Sequence, residues 1–305
     1  MKTKSTKTNC IPGNQKYTFK DFTCEFPDDD ACMTFVMESR WPDGRSLCAK
    51  CGTERKHYRV TGRTAYACDH CGNHIYPLAG TIFEKSTTPL RTWFYAMYLM
   101  SSTRSGISAK HLQRETGVTY KTAWRMFKQI RTLMSEEISL EGEAVEVDET
   151  YMGGRRKSGK GRPMVGDKVK TPVMGLIERH GRVVALTVPN VTAKTLCSTV
   201  REYVLPQSTV FTDTFPSYNT VSKGRRYTHH RINHSENVYV MGNIHTNTIE
   251  GFWSLIKRGI GGVYHSVSKK YLQTYLDEYS FRYNRRNSGQ PMFISLLEQV
   301  YEQAE

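Results

Sequence analysis

Two identical knuckles constrain this chain most: Cys48-Ala49-Lys50-Cys51 and Cys68-Asp69-His70-Cys71, with 16 residues between them. Each Cys-x-x-Cys turn aims two thiolates to one side, and two such turns complete the tetrahedral shell of one structural zinc ion. A redox dithiol would need only one pair. Gly52 and Gly72 follow the pairs, where the chain must turn tightly around a metal. Segments 56–60 and 64–67 read as the two arms of a zinc ribbon. His70 and His74 are left as surface residues, because four cysteines already fill the shell. Of the other cysteines, Cys10 and Cys24 lack pairing, while Cys32 and Cys197 fall in helix-like segments and read as small core residues.

A ribbon of this kind folds a chain without naming its partner, and charge narrows the choice. Lys and Arg total 43 against 29 Asp and Glu, a net charge of +14. That surplus points to a polyanion, and nucleic acid is the commonest one. Membrane insertion is excluded as a reading, since no apolar run approaches the roughly 18 to 20 residues a spanning helix needs. The basic start has no apolar stretch behind it, so it does not read as a secretory signal. A reducing compartment follows, in which disulfides are rare.

Along the chain, residues 1–24 read as a basic, disordered tail. A short helix with Asp28, Asp29 and Asp30 at its start precedes the ribbon, the two together spanning 25–85. Residues 86–138 read as helical. Thr88 and Pro89 open an apolar helix from Leu90. Ser108 caps a second helix, Gly117 and Val118 make a turn, and Thr119 caps a third. Leu112, Val118, Ala123 and Phe127 are spaced to pack these two helices together. Tyr120, Lys121, Arg125 and Lys128 then stay free to contact DNA in a major groove, the arrangement of a helix-turn-helix.

The composition changes sharply after that. Between Glu136 and Glu149 there are seven acids and no base, whereas between Arg155 and Lys170 there are seven bases and one acid. Residues 139–305 read as a mixed α/β sheet domain. An alternating strand reaches Asp148; two strands meet at a turn at His180-Gly181; a helix covers 193–205; a strand ends at Asp213; and a helix opens at Asn247 with Glu250 in its first turn. Two strand-end aspartates and a helix glutamate can converge at one end of such a sheet. Hard oxygen ligands of this kind suit Mg²⁺ or Mn²⁺, and a pair of ions about 3.5 to 4 Å apart serves phosphoryl transfer. Any one of these acids alone would read as a solvated charge. Arg155, Arg156 and Lys157 open a basic loop suited to phosphate. Lys257 lies two turns after Glu250 on the same helix face. Arg282, Arg285 and Arg286 read either as lining a DNA channel or as capping their helix. Trp253 reads as core.

Residues 147–157, 212–218, 247–259 and 271–286, together with Arg40-Trp41-Pro42-Asp43-Gly44 before the ribbon, closely resemble bacterial insertion-sequence transposases with the ISXO-like domain, relatives of Merlin elements. The likeness runs from about residue 25 onwards. It implies an RNase H-like catalytic domain that uses an Asp-Asp-Glu site with two Mg²⁺ ions to cleave and join DNA strands. Asp148 would be the first acid, Asp213 the second with 64 residues intervening, and Glu250 the third after 36 more. Asn247, one helical turn before Glu250, is the alternative or accessory at the third position; Glu250 is preferred because a carboxylate neutralises the cation. The implied partners are double-stranded DNA, as terminal inverted repeats and target, and further copies of the chain. The implied setting is the cytoplasm, on the nucleoid. Two rival readings stay open. One is a non-catalytic regulator using only the ribbon and the helix-turn-helix; the other is a hydrolytic nuclease on the same core.

Overall fold

The computed structural model describes residues 17–153, 170–223, 225–232 and 246–302. The chain divides into two compact units. One holds the residues up to Thr103, Ala109–Leu133 and those from Asn287 onward; the other holds Arg104–Ser108 and Met134–Arg286. Among the described residues no helix is long and apolar enough to cross a membrane.

The first unit begins with α1 (Phe19–Glu25), in a stretch that the sequence assigns to a disordered tail. The helix forms because Thr18 and Asp21 make a reciprocal capping box, and because Phe22 is fully buried against Phe26, Tyr98 and Phe293. Asp28 caps α2 (Asp29–Arg40) by accepting from Ala31 N at 2.8 Å. The ribbon follows as an antiparallel sheet of β1 (Arg45–Leu47), β2 (Glu54–Arg59), β3 (Tyr66–Cys68) and β4 (His74–Ile75), in that order. In α3 (Leu90–Ser102) the N-cap is Pro89 and no side chain caps it, so Thr88 does not play the expected part. Trp93, Phe94, Ala96, Met97 and Met100 of α3 are buried, and the helix packs against α9 (Met292–Glu302).

Helices α4 (Ala109–Thr116) and α5 (Tyr120–Thr132) complete this unit and pack on each other. Leu112, Ala123 and Phe127 are buried and Val118 is half-buried, as their spacing predicts. Thr119 caps α5 by accepting from Thr122 N.

The second unit is a five-stranded mixed sheet in the order β7-β6-β5-β8-β9. Strands β5 (Ala144–Met152), β6 (Thr171–Glu178) and β7 (Val183–Thr187) are antiparallel neighbours; β8 (Thr209–Asp213) and β9 (Thr228–Ile232) run parallel to β5. Both faces are covered. Leu196, Cys197 and Val200 of α6 (Ala193–Tyr203) pack with Val145, Val147, Met174, Leu176 and Val210 on one side. On the other side, α7 (Asn247–Gly259) and α8 (Leu272–Asn284) bury Ile249, Phe252, Trp253, Ile256, Leu272 and Leu276 against Val173, Ile177, Val183 and Ala185. Double coverage is why β6 reads as a nearly unbroken apolar run rather than an alternation.

Candidate functional site

The two knuckles superimpose in their chemistry. Gly52 and Gly72 both have φ +67 and donate their N–H to Cys48 O and Cys68 O, closing each turn. All four sulfur atoms lie within 4.8 Å of one another, with Cys48···Cys71 at 3.5 Å and Cys51···Cys68 at 3.9 Å. Tetrahedral zinc with Zn–S of about 2.3 Å requires S···S separations of about 3.8 Å, so the thiols fit that ion. Among the described residues this is the cluster of metal-ligating side chains gathered tightly enough to chelate. His70 is exposed and His74 half-buried, outside that cluster.

Of the two aspartates read as strand ends, Asp213 does close β8, whereas Asp148 lies inside β5, whose ladder with β6 continues to Met152. In the parallel pairing of β5 and β8, Glu146 lies beside Phe211. The ladder runs as far as that pair; Asp148 and Asp213 each follow it by two residues, and the Asp213 charge reaches Asp148. Asp213 accepts from Phe215 N at 2.9 Å, which fixes its carboxylate at the end of β8. Burial, reinforced by the charges of Glu149 and Asp213, pushes the Asp148 carboxyl up to about 7. Burial also raises Glu149, against the pull of a 2.6 Å hydrogen bond from Tyr218 Oη. A buried carboxylate with further negative charge beside it is poised to bind a cation in the proton's place.

Helix α7 brings the third predicted acid to a pocket that it shares with Asp148 but not with Asp213. Asp148 and Glu250 line it together with Trp253, Ser254, Lys257 and Arg258. Glu250 and Asn247 are both exposed, and Glu250 Oε1 accepts from Thr246 Oγ1 at 3.2 Å. Asn247 is not among the residues lining that pocket. Lys257 also borders a larger cavity of about 670 Å³, whose lining includes Tyr151, Lys170 and His265.

What holds α7 there is Glu146, a residue that the sequence shows only as one of seven acids. It is fully buried. Its Oε2 accepts from Thr248 N at 2.9 Å and Ile249 N at 3.1 Å, and its Oε1 accepts from Arg179 Nε at 2.9 Å and Thr248 Oγ1 at 3.0 Å. Thr246, the N-cap, contributes no side-chain cap, so a carboxylate from β5 satisfies the first turn of α7 instead. Arg179 lies 4.0 Å over the Phe211 ring on β8, which extends the same link to the strand carrying Asp213. The available sequence signal was position: Glu146 stands two residues before Asp148, hence on the same face of β5.

Of the residues predicted to meet DNA, Tyr120, Lys121, Arg125, Lys128 and Lys257 are all exposed. Arg155, Arg156 and Lys157 lie outside the described residues. The three α8-end arginines are engaged within the fold. Arg282 is buried with Glu278, Arg285 pairs with Glu136 at 2.5 Å over the Phe281 ring, and Arg286 lies over Tyr283 and donates to Gly181 O. Arg286 also donates to Tyr283 O, so capping, the other alternative, is seen at the end of α8.

Residues 139–284 match the ISXO2-like transposase domain, and residues 27–74 match the transposase zinc-ribbon domain. The chain is 29% identical over 293 residues to a protein of Halobacterium salinarum named "Uncharacterized protein in transposable element ISH50", covering 90% of this chain and 97% of that one. It is 36% identical over 119 residues to an "Uncharacterized transposase-like protein" of Haemophilus influenzae, covering 39% of this chain and 93% of the relative. Zinc ribbon, mixed sheet and these matches agree, and the chain belongs to the family of insertion-sequence transposases with an ISXO2-like transposase domain.

Proposed function

We propose that this transposase binds the terminal inverted repeats of its element and catalyses DNA strand cleavage and strand transfer at Asp148, Asp213 and Glu250. The observation that carries the reading is that β5 and β8 are parallel neighbours, with Asp213 close enough for its charge to act on Asp148, while Glu250 shares a pocket with Asp148. The strand order β7-β6-β5-β8-β9, three strands antiparallel and two parallel to the centre, supports an RNase H-like core. Burial of Asp148, with the charges of Glu149 and Asp213 beside it, supports divalent-cation binding, with Mg²⁺ or Mn²⁺ held by the two aspartates and Glu250. Such ions, when bound, supply Lewis-acid stabilisation to the attacking and departing oxygens.

The remaining work falls to the chain's own residues. Lys257 and Arg258, beside the acids, give the backbone of the reacting strand a positive wall. The cavity bordered by Lys170, Lys257 and His265 offers that strand a continuation. Glu250 is the better third ligand than Asn247, both for its charge and because it lines the pocket. In the first unit, α4 and α5 act as a helix-turn-helix. Tyr120, Lys121, Arg125 and Lys128 meet DNA, and the zinc ribbon scaffolds a further contact. Two ends must be brought together for joining, so the working form is a homo-oligomer on DNA.

A cell-based assay tests this reading, using a marker flanked by the element's ends on a donor plasmid. The marker should move when the wild-type chain is supplied and stay in place with Asp148→Asn or Asp213→Asn. Undiminished movement with either variant would overturn the assignment. Full movement with Glu250→Gln, and loss with Asn247→Ala, would transfer the third role to Asn247.

A further inference from the structure

Trp253 is buried, with 3% of its surface exposed, yet one polar atom of the ring points at the acidic site. Its indole Nε1 donates to Asp148 Oδ2 at 2.9 Å. Its neighbours on α7 in the same apolar cluster, Ile249, Phe252 and Ile256, fill space without a polar tip. A packing role alone would be met by any ring of that size.

The opposite strand is cut to admit the indole. Gly175 pairs with Asp148 across the β5–β6 ladder. A Cβ built on Gly175 would sit 2.5 Å from Trp253 Cζ2, 2.7 Å from its Cη2 and 2.8 Å from Ile249 Cδ1. Contacts that close are not tolerated, so glycine at this strand position leaves room for the ring beside Asp148. Glycine costs a strand interior stability, and here the missing side chain is replaced by the Trp253 ring. The tryptophan stands on α7 three residues after Glu250, so a single helical turn carries a pocket acid and a donor to the partner acid.

We infer that Trp253 is a positioning residue, which fixes the Asp148 carboxylate through Oδ2 and leaves Oδ1 for a divalent cation, and that Gly175 is the gap that makes this reach possible. The inference rests on the proposed metal-dependent reading of Asp148. A donor to one oxygen of a ligating carboxylate limits its rotation before the cation arrives. Removing such a partner commonly weakens metal affinity about 10- to 100-fold.

The test is Mn²⁺ binding to the purified full-length protein, followed by the electron paramagnetic resonance of the free ion, for wild type, Asp148→Asn and Trp253→Phe. Phenylalanine keeps the ring in the apolar cluster and removes only the N–H. The expected result is loss of the site in Asp148→Asn and about tenfold weaker binding in Trp253→Phe, with thermal unfolding close to wild type. Wild-type affinity in folded Trp253→Phe, with the site lost in Asp148→Asn, would overturn the positioning role alone. Unchanged binding in Asp148→Asn, or none in wild type, would overturn the metal reading and this inference with it.

A second measurement needs no tryptophan variant. In wild-type protein labelled with ¹⁵N-tryptophan, the chain's four tryptophans give four indole N–H signals. Substoichiometric Mn²⁺ should bleach one of them ahead of the other three, and should not do so in Asp148→Asn. Four signals that fade together would overturn the proposal.

Discussion

Replacing Glu146 by glutamine tests how the acidic pocket is assembled. Glutamine keeps the shape of the side chain but has one acceptor oxygen and no charge. Four donors now converge on the carboxylate: Thr248 N, Ile249 N, Thr248 Oγ1 and Arg179 Nε. An amide can satisfy at most some of these, and its own NH₂ must face a group that donates. Hydrogen bonds to a charged acceptor contribute roughly 1.5–3 kcal/mol each, and breaking a buried ion pair costs roughly 3–5 kcal/mol. Arg179 keeps some exposure, with 14% of its side chain accessible, so the lower part of that range applies. A loss of about 2–4 kcal/mol is expected, concentrated at the first turn of α7. Because 1.36 kcal/mol is a factor of ten, amides of Thr248 and Ile249 should exchange with solvent at least about 30-fold faster. Hydrogen exchange read by mass spectrometry on a peptide spanning 246–252 measures this directly. Exchange within a factor of three of wild type would refute the view that Glu146 anchors the helix bearing Glu250.

Three other outcomes follow from the structure. Cys48→Ser should drop the zinc content of the purified protein from one ion per chain to near zero and unfold the ribbon; retained stoichiometric zinc would refute the four-thiol site. Lys121→Ala and Arg125→Ala, both at exposed positions of α5, should leave unfolding within about 0.5 kcal/mol of wild type. Each should weaken binding to terminal-repeat DNA and lower the salt slope by about 1, and an unchanged slope would remove α5 from the interface. Burial raises the Asp277 carboxyl to about 6, against the lowering hydrogen bond from Gln273. A raised carboxyl favours the protonated fold, so this group's penalty is absent below about pH 4 and grows as pH rises through 6. Asp277→Asn should therefore stabilise the protein at pH 8, on the order of 1–2 kcal/mol, and give no gain at pH 4 in paired urea titrations. An equal gain at both values would contradict that origin.

The parts of this fold that sequence revealed are those in which local chemistry and final environment agree. The cysteine knuckles carry their own geometry. Strand β8 is apolar up to Asp213, and α7 opens at Asn247 with a clear amphipathic repeat. Strand β9 was missed because Thr228, His229, His230 and Arg231 give no apolar alternation. It pairs through the β8 ladder, with His230 stacked on Phe211 and His229 Nε2 bonded to Thr212 Oγ1. Helix α1 was missed because its short aromatic repeat gains meaning only from Tyr98 and Phe293, far along the chain. At the site Asp213 is legible as a strand end and Glu250 as a first-turn acid, whereas Asp148 lies inside a strand that runs on to Met152, and the supports of these acids are not legible. Glu146 and Trp253 act across more than 100 residues of sequence, and no local pattern distinguishes a clamp from a solvated acid or an indole donor from a core ring.

The most direct test of the account is strand transfer in vitro, with purified protein, Mg²⁺ and linear DNA carrying the element's terminal inverted repeats. Wild-type protein should give nicked ends and joined product, and both should vanish in Asp148→Asn and Asp213→Asn while end binding persists. Joined product at the wild-type level from either variant would contradict the claim that these two aspartates form the catalytic centre.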